Sequence, residues 1–246
     1  MHEYENIYDT INDILGSSRG NFSILEEQID VDLQMEYFEY SKNYQQTKSP
    51  EEIISSKNEI FEKEMPEEHK KNLLIELASI ENVEAYRTIE EFLKEPETDF
   101  LKDWATLAFQ ESRMLLESHI LDQNQIFIST GLGGKNGKLR YFVVLLSKSD
   151  NYFGFLQKKI LKNEIQYFLK KNNSELEDIC FAQNFVTFRT VIPINIPVTS
   201  IFKKIITECN QFGDFLQEEY IITNVKELSF SEINDYLEGG QPGNNR

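Results

Sequence analysis

Histidine and cysteine, which most often hold metals or act as nucleophiles, are scarce: the 246 residues contain three histidines and two cysteines. Cys180 and Cys209 have no CxxC spacing and no nearby histidine. Both are expected to be buried structural thiols, with a disulfide between them as the main alternative. The histidines His2, His69 and His119 stand apart, and no HxE or HExxH motif occurs. The sequence therefore predicts neither catalytic residues nor a metal site, and it suggests no cofactor.

Long apolar runs are also missing. No stretch approaches the ~20 apolar residues of a membrane-spanning helix. The first five residues, Met1 to Glu5, are acidic and lack the basic and apolar regions of a signal peptide. We expect a soluble cytoplasmic protein without membrane insertion.

Positive charge is scarce in one half of the chain only. Residues 1–122 carry 29 acidic and 11 basic side chains, a net charge of −18, whereas residues 123–246 carry 13 and 14, a net charge of +1. The total of −17 predicts repulsion of nucleic acid and favours a basic protein partner. We therefore expect a protein partner or a second copy of the chain, and no nucleic acid.

The change in charge coincides with a change in pattern, which predicts four segments. These are an acidic helical segment at 1–65, a second helical region at 66–122, an α+β domain at 123–237 and a flexible polar tail at 238–246. The predicted fold class is therefore α+β, with a helical N-terminal region followed by an antiparallel sheet.

Capping residues place the helices of the first half. Two helices are expected within the first 48 residues. Ser49-Pro50-Glu51-Glu52 begins a helix that should run to about Glu64, and Pro66 begins the next. Asn82 is a plausible cap for a helix over 83–94, and Glu95-Pro96-Glu97-Thr98 forces a break before one over 99–120.

Residues 83–120 resemble one HEAT-type helical repeat. Glu95-Pro96-Glu97 occupies the acidic, proline-containing turn, Leu101-Lys102 is the apolar–basic pair, and Ala105 and Ala108 are the small residues of the second helix. The resemblance implies stacked helical pairs that offer a surface to partners, and so binding rather than catalysis.

The second half alternates strands and helices. A hairpin of 125–130 with 138–146, a helix over 152–171, a hairpin of 178–183 with 185–193 and a helix over 199–212 make two ββα units. A strand at 219–226 and a helix capped at Ser229 complete the predicted ββαββα(βα) domain. This element order resembles the type III secretion chaperone-like and YbjN-like domains.

The glycine-rich loop Gly131–Lys138 allows two interpretations. Glycines and lysines can cradle a phosphate, but the P-loop spacing is absent and Lys138 leads into a strand. Asn136-Gly137 is the pair that favours a hairpin turn, which we prefer. A phosphate- or nucleotide-binding enzyme or sensor that uses this loop with Lys158 and Lys159 is the alternative function.

Two sets of side chains are candidates for partner binding. Lys158, Lys159 and Lys162 surround the apolar stripe of a predicted helix, and are either its solvated face or a phosphate-binding surface. Three tyrosines of the acidic half could enter a basic groove or could pack the first helices; they are Tyr37, Tyr40 and Tyr44. The leading prediction is a non-enzymatic protein-interaction, chaperone or adaptor protein.

Overall fold

The computed structural model describes residues 22–122 and 125–237. Within these ranges the chain divides into two compact units. The helical unit contains 22–25 and 29–128, and the sheet unit contains 26–28 and 129–237. The predicted helix before residue 21 and the predicted tail lie outside the described residues.

The helical unit contains five α-helices and a short pair of strands. The helices are α1 (Val31–Asn43), α2 (Pro50–Ser56, continued by a 3-10 turn over Lys57–Phe61), α3 (Glu67–Ala78), α4 (Val83–Phe92) and α5 (Asp99–Leu121). The strands β1 (Phe22–Ile24) and β2 (Ile126–Ile128) pair in parallel. The caps at Ser49 and Asn82 form as predicted, with Ser49 and Glu52 in a reciprocal capping box.

Trp104 of α5 lies at the centre of the helical core. Its side chain is fully buried, and its indole N–H donates to the backbone oxygen of Lys71 at 3.3 Å. The Lys71 ammonium lies 4.3 Å from the Trp104 ring centroid, a cation–π contact that offsets its burial. The same α5 carries Ala105 and Ala108, both buried, where α3 and α4 approach closely.

The sheet unit confirms the predicted α+β class with an antiparallel sheet. Its elements are β3 (Gly134–Lys135), β4 (Lys138–Ser147), α6 (Phe155–Lys171), β5 (Glu175–Phe181), β6 (Phe185–Pro193), α7 (Val198–Asn210), β7 (Leu216–Thr223) and α8 (Phe230–Leu237). The strand order is β3-β4-β6-β5, and β7 also pairs with β4. Every pairing in this sheet is antiparallel.

Helices cover both faces of this sheet. Helices α6 and α7 pack on one face through residues such as Leu161, Ile165 and Ile205, which meet Val143 and Phe188 of the strands. On the opposite face, α8 buries Ile233 against a smaller cluster of strand residues. Helix α6 therefore has one face fixed against the sheet and one face turned outward.

The first predicted hairpin is wrong in its pairing. Strand β2 pairs with β1, not with β4, and the partner of β4 is the two-residue strand β3. The tight turn lies where Asn136-Gly137 predicts it, because both residues adopt positive φ, 52° and 71°. Residues 22–24, expected to be helical, form a strand because a parallel partner distant in sequence satisfies their backbone.

Candidate functional site

Helix α6 exposes one continuous row of side chains. Phe155, Lys159, Lys162, Gln166 and Lys170 follow at intervals of four, three, four and four residues, and all are exposed. This spacing keeps them on one side of an α-helix. Tyr167 is also exposed; it is turned about 100° from Gln166 around the helix axis and borders the row three residues before Lys170. We call this surface the lysine face; it consists of Phe155, Lys159, Lys162, Gln166, Tyr167 and Lys170.

The lysine face is strongly positive for a chain of net charge −17. Helix α6 carries five lysines against Glu164, and the adjacent α7 carries two lysines against Glu208, so the two helices have a net charge of +5. Lys159, Lys162 and Lys170 form no ion pair with any residue that the structure describes. Their charge is thus available to an anion from solution.

Two other lysines of α6 contact rings within the protein. The Lys158 ammonium lies 5.5 Å from the centroid of the Phe181 ring, and the Lys171 ammonium lies 5.9 Å from that of Tyr167. Lys170 and Lys171 also occupy the last turn of α6, where positive charge interacts favourably with the helix dipole. Of the lysines singled out from sequence, Lys158 is half-buried and Lys159 and Lys162 are exposed.

The basic side chains of the sheet, by contrast, are neutralised within the protein. The pairs are Arg140 with Glu177 (2.7 Å), Arg189 with Asp178 and with Glu227 (2.9 Å to the latter), and Lys135 and Lys138 with Glu175 (3.3 and 2.9 Å). Hydrogen bonds from the two lysines lower the pKa of the Glu175 carboxyl. Positive charge without an internal partner is therefore concentrated in this unit on its helices.

The glycine-rich loop does not form a phosphate cradle. The Asn136 N–H donates to the Glu26 carboxylate at 2.6 Å, so an internal acid takes the place that a phosphate would need. The Gly134 N–H donates to the Glu26 backbone oxygen at 3.4 Å. Both lysines of the loop pair with Glu175. The predicted alternative, a nucleotide-binding enzyme or sensor at this loop, is not supported.

The three candidate tyrosines belong to the helical unit. Tyr37 is fully buried, and its hydroxyl donates to the Glu111 carboxylate at 2.6 Å. Burial raises the pKa of Tyr37 well above its usual range. Tyr40 and Tyr44 are half-buried and also pack against the helical core. The structure thus gives Tyr37 a packing role between α1 and α5, and the tyrosines and lysines of the predicted set lie in different units.

The cysteines differ from the expectation in one respect. Both thiols are free, which removes the disulfide alternative, and Cys180 is exposed on β5 rather than buried. Cys209 is buried as predicted, and burial raises the pKa of its thiol to about 12. Among residues 22–122 and 125–237, no three His, Cys, Asp or Glu side chains are grouped as metal ligands would be.

No protein-family model and no curated protein matches the chain. Several solved structures are similar to part of it, two of which are described here. One is a candidate transposase from Deinococcus radiodurans R1, with 16% identity, a TM-score of 0.37, and coverage of 45% of this chain and 96% of that one. The other is a REP-associated tyrosine transposase bound to a REP hairpin, with 11% identity, a TM-score of 0.32, and coverage of 43% and 64%.

These neighbours contradict several expectations from the sequence. Both are described as transposases, which is at odds with the resemblances to a HEAT repeat and to secretion chaperone-like or YbjN-like domains and with the predicted non-enzymatic interaction or adaptor function. The second is bound to a REP hairpin, which is at odds with the predicted exclusion of nucleic acid from the partners. The similarity is too low to assign an activity to this chain. The acidic turn and small residues behind the HEAT resemblance suit any tight helical hairpin, and here Ala105 and Ala108 belong to the buried cluster that contains Trp104.

No helix of the described residues is both long and apolar enough to cross a membrane.

Proposed function

We propose that the sheet unit binds nucleic acid through the lysine face of α6. The observation that carries the proposal is the row of Lys159, Lys162 and Lys170, exposed and without an internal ion pair in a chain of net charge −17. Lysines contribute to nucleic-acid binding by neutralising phosphates and releasing their counterions.

The length of the row suits a polyanion rather than a single phosphate. Lys159 and Lys170 are eleven residues apart, which corresponds to about 16 Å along a helix that rises 1.5 Å per residue. A nucleic-acid backbone carries phosphates at intervals along such a distance, whereas one phosphate group would reach only one end of the row.

The carboxylates of this surface are few and lie at its margins. Glu164 is the only acid of α6, and its side chain is half-buried near Cys209 of α7 rather than in the lysine row. The strong negative charge of the chain belongs mainly to residues 1–122. Exposed charges farther apart than a Debye length, about 8 Å at physiological salt, are largely screened from each other. The local charge of a surface, rather than the total charge of the chain, therefore decides whether a polyanion binds there.

Fluorescence anisotropy with labelled oligonucleotides tests the proposal. The full chain is expected to bind, and K159Q/K162Q/K170Q is expected to bind on the order of tenfold more weakly or worse. The matched control is K42Q/K63Q/K102Q, which removes the same charge from three exposed lysines of the helical unit that form no ion pair with described residues. This control should bind as the parent does.

Two outcomes contradict the proposal. One is an equal loss of affinity in both triple variants, which would indicate an effect of net charge alone. The other is binding of the parent to anionic vesicles with no binding to any oligonucleotide, because exposed lysines beside apolar side chains are also compatible with a lipid surface.

A further inference from the structure

Two aromatic rings lie on the lysine face without a role in the core. Phe155 is 86% exposed and Tyr167 is 57% exposed. The sheet-facing side of α6 already supplies Leu161, Ile165 and Phe168 to the core. Phe155 and Tyr167 therefore leave more than half of their surface to solvent, so apolar area of both rings is available for a ligand to bury.

Along the helix axis the two rings lie on either side of the central lysines, and around the axis Tyr167 is turned about 120° from Phe155. From Phe155, the helical rise places Lys159 at about 6 Å, Lys162 at about 10 Å and Tyr167 at about 18 Å along the axis. A strand whose phosphates contact the two lysines would thus have a ring near each end of the contacted segment.

Base faces are accessible to such rings only when the bases are unpaired. In a duplex each base is covered by its neighbours above and below, and a protein meets phosphates and groove edges instead. In a single strand, successive bases can stack on aromatic side chains while a basic surface follows the backbone.

We infer that the lysine face binds single-stranded nucleic acid in preference to duplex, with unpaired bases stacked on Phe155 and Tyr167. This inference rests on the proposed function and adds the class of ligand to it. Tyr167 is held for this contact from two sides: its ring meets Phe168 edge-on at 5.2 Å, and the Lys171 ammonium lies 5.9 Å from its centroid.

The test compares F155L, Y167L and a control, Y236L, with one labelled strand, alone and annealed to its complement. Leucine keeps an apolar side chain with good helix propensity but removes the stacking ring. Tyr236 is an exposed tyrosine of α8, the helix that packs on the opposite face of the sheet. Circular dichroism melting of each variant shows whether its fold is retained.

Each α6 variant should bind the single strand roughly 5- to 150-fold more weakly, the range for loss of one stacked base. Duplex binding should stay within about twofold of the parent, and Y236L should change neither affinity. Equal parental affinity for both forms, or ring variants that bind the single strand as the parent does, would overturn the inference.

Different results would contradict the proposed nucleic-acid binding and the preference for single strands. If no oligonucleotide binds, or if K159Q/K162Q/K170Q binds as tightly as the parent, the nucleic-acid interface itself is wrong and the inference falls with it. If binding depends on the lysines but not on the rings, only the single-strand preference is wrong.

Discussion

Removing three lysines from α6 should flatten the salt dependence of nucleic-acid binding by a calculable amount. Each phosphate that a protein neutralises on a single strand contributes about −0.7 to the slope of log K against log salt. Lys159, Lys162 and Lys170 have no ion pair with a described residue, so each can take one phosphate. Together they account for a slope of about −2.1. A fourfold rise in salt, from 50 to 200 mM, should then weaken parental binding by at least about 18-fold.

The assay is a set of anisotropy titrations at several salt concentrations with one single-stranded oligonucleotide. The slope of K159Q/K162Q/K170Q should be smaller than the parental slope by about 2. The slope of K42Q/K63Q/K102Q should equal the parental one, because those lysines belong to the helical unit. A triple α6 variant that binds more weakly but keeps the parental slope would refute the reasoning, since the lost lysines would not have contacted phosphates.

Three further predictions concern the fold that holds the lysine face and the helical unit. Y37F should lower the free energy of unfolding by roughly 1.5–3 kcal/mol in a denaturant titration, because the Glu111 carboxylate loses a buried donor. G133A should lower the melting temperature, since φ is +63° and an added Cβ would lie 2.3 Å from a backbone oxygen. Hydrogen bonds from Lys226 and then from the capping turn lower the pKa of Glu232 to about 2. The stabilising effect of the Glu232 carboxylate on α8 should therefore be complete above about pH 4.5 and be lost as pH falls toward 2. E232Q should remove this part of the pH dependence from thermal melts recorded in acid.

Matched variants separate these effects from general disturbance. Y44F removes a hydroxyl that has no hydrogen-bond partner among the described residues, so it should leave stability nearly unchanged. G137A shares a positive φ, +71°, but its added Cβ would meet nothing within 4 Å, so it should cost less than G133A. Equal losses within either pair would contradict the packing described here, and an acid melt of E232Q that follows the parental curve would contradict the role of Glu232.

Local signals in the sequence predicted much of the fold. The capping box at Ser49, the cap at Asn82 and the Asn136-Gly137 turn all involve residues within four positions of one another, and each forms as expected. Strand β6 spans Phe185–Pro193, the range expected from its apolar residues. The parallel pairing of β1 with β2 joins residues about a hundred positions apart, and no local pattern specifies such a partner.

The lysine face was only partly predictable. Lys158, Lys159 and Lys162 were singled out, but their sequence could not separate a solvated helix surface from a phosphate-binding one. What distinguishes them is that the basic side chains of the sheet find carboxylates across strands, whereas Lys159 and Lys162 do not. Total charge averages an acidic half with a nearly neutral one, so it does not reveal the local positive charge of α6. The predicted boundary at residue 122, and with it the independence of the two halves, stays a prediction.

Lysine acetylation mapped by mass spectrometry tests the interface most directly, because it reports on each amine separately. With a saturating single-stranded oligonucleotide, Lys159, Lys162 and Lys170 should be acetylated several-fold more slowly than in the protein alone. Lys42 and Lys63, exposed in the helical unit, should react at the same rate in both samples. Protection of the α6 lysines alone is the result that we predict; unchanged reactivity of those lysines under conditions where the oligonucleotide is bound would contradict the account.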